Sequence, residues 1–236
     1  MLSLMKAKLD AGRALLYQCA RYVDVYKALD DIARERKLTP EERTEQKTYA
    51  KLADSLTPLA KGMNSEYCNQ NTFDALQIHG GSGFMMDYPI QRYYRDARIT
   101  NIYEGTTQLQ VVAAIRYVTN GSYLAQRREF GQAEVSEAVK PLQAQAKALA
   151  DLFEQAVEHV KEAQSQEMQD LCARHLVEMA ADVIMLHLLC YNATQQPEMF
   201  EKSARVYARF VTAEVQKHHT WVMDMTAEAL EDYRCE

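Results

Sequence analysis

The sequence predicts an all-α protein laid out as two helical blocks. Apolar residues recur at three-to-four spacing through most of the 236 positions. Glycine and proline are scarce, at 8 and 5, too few for a chain of short strands that must turn every several residues. Where they do occur, they sit at places that start or stop helices.

Taken in order, residues 1–32 read as a helix, with Leu2, Met5, Leu9, Leu16, Ala20, Val23 and Leu29 as its apolar side. A charged connection over 34–38 leads into Thr39-Pro40-Glu41-Glu42. That tetrad is a strong helix start, with Thr as N-cap, Pro at the first helical position and Glu placed to close a capping box. The helix it opens is expected to reach about His79, with Pro58 kinking or interrupting it near 55–59. His79-Gly80-Gly81-Ser82-Gly83 then stops it. Residues 84–105 are the least regular stretch, holding a short helix over 90–98. A further helix spans 106–119 and ends at Asn120-Gly121, and residues 121–131 read as a linker. Val135, Val139, Leu142, Ala146, Leu149, Phe153, Val157 and Val160 then mark a long amphipathic helix. Two more follow, over 168–192 and 199–233, parted by Gln195-Gln196-Pro197-Glu198. The domain boundary falls at 120, giving blocks 1–120 and 121–236.

Charge and composition exclude several function classes. Net charge is −6, from 27 Lys+Arg against 33 Asp+Glu. With no long basic block, duplex nucleic-acid binding by counterion release has no support. The longest strongly apolar run, 183–191, is interrupted by His187 and is far short of the roughly 20 residues of a membrane span. Membrane association is therefore not expected, and the helices carry no broad Lys/Arg face. Five cysteines with no Cys-x-x-Cys pair read as reduced thiols, and so as a cytoplasmic protein. Metal chemistry is not expected: there is no His-Glu-x-x-His and no Glu-x-x-His. Cys172 and His175 stand alone, His218 and His219 point to different faces, and all six histidines read as structural or incidental. Met179, Met185, Leu186, Leu188, Leu189 and Trp221 read as packing.

The chemistry concentrates in 77–108, which holds Gln77, four glycines, Arg92, Arg95, Asp96, Arg98, Glu104, Thr106 and Gln108. Three blocks follow one another there: Gln77-Ile-His-Gly-Gly-Ser-Gly-Phe84, Arg92-Tyr-Tyr-Arg95-Asp96-Ala-Arg98, and Ile102-Tyr103-Glu104-Gly105-Thr106-Thr-Gln108. In order and spacing they resemble the C-terminal helical domain of the acyl-CoA dehydrogenases, a resemblance that runs over about residues 1–120. It implies oxidation of an acyl-CoA thioester to its trans-2-enoyl form, with FAD taking the β-hydride. It implies Glu104 as the base that removes the α-proton, with Tyr103, Glu104 and Gly105 beside the substrate. Such a base must be aligned and desolvated, because the α C–H is a poor acid, and the enolate oxygen needs donors. The resemblance assigns that donor role to the Glu104 N–H and a flavin ribityl hydroxyl. Thr106 and Gln108 match FAD contacts at a helix N-terminus, where free N–H groups suit phosphate. Gln77, Gly80 and Gly81 match residues that reach the FAD of a neighbouring subunit, which implies a homo-oligomer. Arg92, Arg95, Asp96 and Arg98 are expected to form an ion-pair cluster holding the elbow. An electron-transfer flavoprotein is the acceptor the resemblance implies.

Complete members of that family also carry an N-terminal helical domain and a middle β-domain, and neither is present in this sequence. The bundle's first helix and the family's flavin-binding arginine segment are missing as well. The expectation is a C-terminal fragment that alone holds FAD poorly and is inactive. Residues 121–236 resemble a helical extension found in a subset of bacterial members, expected to plug a gap beside the bundle or at an oligomer interface. Two rival readings remain: a non-catalytic helical interaction module that keeps the fold, and an oxidase that passes electrons from flavin to oxygen.

Overall fold

Helix follows helix from end to end in the structure, a computed structural model that describes residues 1–234. Among the described residues there is no strand. The elements are α1 (Leu2–Glu35), α2 (Pro40–Ile78), α3 (Gly81–Phe84), α4 (Ile90–Ala97), a 3-10 turn (Arg98–Asn101), α5 (Thr107–Thr119), α6 (Ser122–Gly131), α7 (Lys140–Glu162), α8 (Gln166–Gln195), α9 (Pro197–Met223) and α10 (Ala227–Glu231). The expected capping box opens α2. Thr39 Oγ1 accepts from the Glu42 N–H at 3.2 Å, and Glu42 accepts the Thr39 N–H at 2.8 Å.

Four expectations are corrected. Pro58 does not interrupt α2, which runs unbroken through it. Leu56 and Leu59 are buried on either side, and the Tyr123 hydroxyl donates to the Ser55 carbonyl at 2.7 Å, so tertiary packing holds the helix across the missing N–H. Residues 121–131 are not a linker: α6 forms there, nucleated behind a left-handed Gly121 and anchored by buried Tyr123, Leu124 and Gln126. The apolar side of α1 is partly misread: Leu29 is buried and Val23 packs on the core as expected. Leu2, Leu9 and Leu16 are exposed, whereas Ala7, Ala11, Ala14, Leu15 and Cys19 are buried. The small-residue stripe wins because it lets α2 approach closely; a Cβ on Gly12 would lie 2.1 Å from Asn64 Oδ1. The helix expected over 199–233 divides into α9 and α10.

One hydrophobic core runs through both blocks. α8 is its axis. It is long and apolar enough by length and composition to cross a membrane, but 83% of its most apolar stretch is buried inside the protein. Met179, Met185, Leu186, Leu188 and Leu189 are all buried there, as packing requires. The extension thus packs against α1 and α5, while α2 packs directly against α3, α4 and the 3-10 turn of the irregular segment. Cys19, Cys68, Cys172 and Cys190 are free thiols, and Cys235 lies outside the described residues.

Candidate functional site

Glu104 stands on a turn with an unusual backbone. Its φ is 51°, and that of Gly105 is 90°. A non-glycine residue in the left-handed region costs about 1–2 kcal/mol, so the surroundings must impose it. They do so from α2 and α5. Lys61 donates to the carbonyls of Thr100 (2.8 Å) and Gly105 (2.7 Å). Gln110 reaches the Glu104 and Gly105 carbonyls at 3.5 and 3.4 Å. Glu66 accepts from the Thr107 hydroxyl at 2.6 Å and from Asn101 at 3.3 Å, fixing both flanks of the turn. Asn69 donates to the Ala97 carbonyl at 3.0 Å. Motif reading missed Lys61, Glu66, Asn69 and Gln110; the α2 partners pair with residues 28–44 positions away, a distance at which sequence carries no local signal.

The Glu104 side chain is exposed, and no hydrogen bond from its N–H is made within the described residues. The desolvation expected for a base is therefore not supplied by this chain's own atoms. Beside it a groove of about 480 Å³ is walled by Leu16, Cys19, Asn64, Cys68 and Tyr103. A larger groove, about 1060 Å³, lies between Lys8, Phe73, Tyr94 and Ile99 and does not include Glu104. The smaller one is the chemically relevant one, because it contains the carboxylate.

Thr106 caps α5, accepting the Leu109 N–H at 3.3 Å. That leaves the Thr107 and Gln108 N–H groups at the helix N-terminus without a hydrogen-bond partner among the described residues, beside exposed Gln108. Gln77, Gly80 and Gly81 are exposed too, but elsewhere. At a rise of about 1.5 Å per residue, Gln77 lies roughly 24 Å further along α2 than Lys61. One copy of the chain does not bring the two groups together. A Cβ on Gly80 or Gly81 would meet nothing within 4 Å. Gly80 has a φ of 59° that calls for glycine, but Gly81 has no such need inside the chain. Both suit close approach by a group from another molecule. Next to them Phe84 and Met86 are 79% and 89% exposed.

The expected ion-pair cluster does not form. Arg95 and Asp96 are 3.9 Å apart and both exposed; Arg98 bonds Asn101, and Arg92 lies over the Tyr93 ring. The elbow is instead held by α2, whose half-buried side chains reach its carbonyls with little competition from water. Another polar cluster lies deep in the fold. Asp182 is 3% exposed and accepts from Tyr67 (2.9 Å) and Tyr207 (3.1 Å). Burial pushes its carboxyl up to about 7. His175 and His218 meet through Nδ1 at 2.7 Å, His218 also faces Glu178 at 3.1 Å, and Trp221 stacks on His175. Burial first, then neighbouring His218, lowers the His175 pKa to about 4.

Comparison with known proteins places this architecture. Residues 1–119 match the acyl-CoA dehydrogenase C-terminal domain family, and residues 119–230 match a second family described as acyl-CoA dehydrogenase C terminal. A broad-specificity linear acyl-CoA dehydrogenase of Mycobacterium tuberculosis is 47% identical over 64 residues, 27% of this chain and 10% of that protein. A caffeyl-CoA reductase-Etf complex subunit of Acetobacterium woodii is 34% identical over 110 residues, 47% of this chain and 23% of its own length. The chain thus spans less than a quarter of these curated relatives. The crystal structure of a Bacillus anthracis acyl-CoA dehydrogenase complexed with FAD shares the fold, at a TM-score of 0.68 and 21% identity, over 98% of this chain and 42% of that one. The chain belongs to the acyl-CoA dehydrogenase family, and it carries that family's C-terminal helical region.

Proposed function

We propose that this chain supplies the catalytic base and part of the flavin site for α,β-desaturation of an acyl-CoA thioester. The observation that carries the reading is the Glu104 turn: a carboxylate turned outward on a left-handed residue that Lys61 and Gln110 clamp from behind. In this reading the substrate gives its α-proton to the Glu104 carboxylate and its β-hydride to the acceptor, leaving a trans-2-enoyl thioester. FAD, when bound, supplies the hydride acceptor. Tyr103 and Gly105 border the thioester, and the unpaired Glu104 N–H is placed to donate to its carbonyl oxygen as enolate charge grows. Thr106, Gln108 and the N-terminus of α5 hold one part of FAD. Gln77, Gly80 and Gly81 serve the FAD of a second copy, which the roughly 24 Å along α2 favours. A homo-oligomer follows from that division. By itself this length of chain is expected to hold FAD weakly. A cytoplasmic setting and an electron-transfer flavoprotein as acceptor complete the proposal; the latter rests on the Etf complex to which the Acetobacterium woodii relative belongs.

The test is anaerobic product analysis with this region joined to the family's N-terminal and middle domains and loaded with flavin. One trans-2-enoyl-CoA formed per flavin reduced is the expected result. Oxidised flavin in the presence of bound acyl-CoA, with no enoyl product, would overturn the reading. In air, slow flavin reoxidation supports a dehydrogenase, and fast reoxidation with peroxide supports the oxidase alternative.

A further inference from the structure

The extension reaches the Glu104 turn through a line of charged contacts. Glu66 of α2 accepts from Asn101 and from Thr107, one on each flank of the turn, and both bonds converge on a single oxygen, Oε1. The same oxygen faces Arg174 Nη2 of α8 at 3.9 Å. Arg174 is itself fixed. Its Nε donates to Glu178, one helical turn on, at 2.8 Å. The Glu178 carboxylate is held from α9 by His218 Nε2 at 3.1 Å. Burial pushes the Glu178 carboxyl up, but the bonds from His218 and Arg174 outweigh it and bring it down to about 2, so it stays ionised beside the guanidinium. His218 is braced in turn by His175, on which Trp221 stacks. One helix of the first block and two of the extension thus meet in a series of contacts that ends at the turn.

We propose that Arg174 is a positioning residue for the Glu104 base: it holds the Glu66 carboxylate where Glu66 grips both flanks of the turn. The inference rests on the desaturation reading for the identity of the base, and on these contacts for the coupling. Charge is the main argument. Glu66, Glu178, Asp182 and Glu214 all line one small cavity of about 60 Å³. Among the described residues that line it, Arg174 is the only lysine or arginine. Its guanidinium bridges two of those carboxylates, a geometry that the planar fork of arginine suits. Without it, Glu66 faces Glu178 with no cation between them. The repulsion is relieved by moving Glu66, and Asn101 and Thr107 move with it. Arg174 is half-exposed, so the pair adds little to stability; its effect falls on the placement of the turn. Lys61 fixes that turn from within the first block, and Arg174 makes the extension part of its support.

A double-mutant cycle tests the proposal in the flavin-loaded protein with the family's N-terminal and middle domains attached, following flavin reduction at rising acyl-CoA. Arg174→Met should slow reduction at saturating acyl-CoA roughly three- to tenfold and leave the half-saturating concentration within about twofold. Arg174→Lys keeps the charge but not the fork, and should recover part of the rate. Glu66→Gln removes the charge that Arg174 faces and should also slow reduction; adding Arg174→Met to it should slow reduction no further. Backbone amide NMR shifts of Asn101, Glu104 and Thr107 in this chain, recorded without flavin or substrate, should move in Arg174→Met. They should stay in place in Arg205→Met, which breaks an ion pair to Glu201 elsewhere on the extension. Those shifts decide the coupling even where another group is the base, whereas a wild-type rate in Glu104→Gln overturns the desaturation reading. Unmoved shifts in Arg174→Met, multiplied losses in the double variant, or a raised half-saturating concentration at unchanged rate would each overturn the proposal.

Discussion

Glu104 and Asp182 are two carboxylates tied to the same helix, and α2 treats them in opposite ways. Toward the elbow it presents Lys61 and Glu66, which grip the backbone and the flanks of a turn and leave the Glu104 side chain outside. Toward the extension it presents Tyr67, which with Tyr207 satisfies Asp182 inside the core. One carboxylate is held by what surrounds its backbone, the other by what bonds its oxygens. A group whose bonds close within the chain is structural; a group held firm but turned outward is set for another molecule.

Breaking the inner cluster should cost the most stability. Asp182→Ala removes the acceptor that both buried hydroxyls share, leaving Tyr67 and Tyr207 to pair with each other at 2.9 Å, and should lower unfolding free energy by about 2 kcal/mol in urea titrations, while acyl-CoA still bleaches the flavin of the loaded protein with the family's other two domains attached. Breaking the outer clamp should do the reverse. Lys61→Met frees the Thr100 and Gly105 carbonyls and should slow bleaching roughly 10²-fold through misplacement of the proposed base, Glu104, with stability changed by less than about 1 kcal/mol. Equal losses of stability in the two variants would erase the contrast. Acidity sharpens it further. Asp182 has a folded pKa raised to about 7, so its contribution to stability is present at low pH and is lost as pH rises through 7. His175 and His187, lowered to about 4, act in the other direction, adding stability as pH climbs from about 4 to about 6.5. Asp182→Asn should therefore gain stability with pH more steeply than the wild type between pH 5 and 7, and parallel profiles would contradict the assignment. The smallest effect belongs to neither cluster: Thr39→Ala removes the α2 cap and should cost about 1 kcal/mol, with no change in bleaching.

Local chemistry was legible in the sequence, and long-range partnership was not. The Thr39–Glu42 capping box, the stop at Gly80 and the turn at Glu104-Gly105 each follow from a few adjacent residues, and each is present in the fold. α6 was hidden because Arg127, Arg128 and Glu129 give it a polar look; only its contact with Ser55 shows why Tyr123 and Gln126 are inside. The buried side of α1 was misassigned because alanines carry little hydrophobic weight in a pattern, yet they permit the closest helix approach. The arginines of 92–98 looked like the elbow's support, but the support comes from Lys61, Glu66 and Asn69. His187 reads as incidental within an apolar run, and nothing in that run reveals that neither ring nitrogen finds a partner among the described residues.

The most direct measurement is anaerobic acyl-CoA titration of the flavin-loaded protein with the family's N-terminal and middle domains attached, comparing Glu104→Gln with Asp182→Asn. Glu104→Gln should keep FAD and bind acyl-CoA but bleach the flavin slower by roughly 10²- to 10⁴-fold, whereas Asp182→Asn should bleach at close to the wild-type rate. Wild-type bleaching in Glu104→Gln, with loss in Asp182→Asn, would place the base in the core and contradict the account.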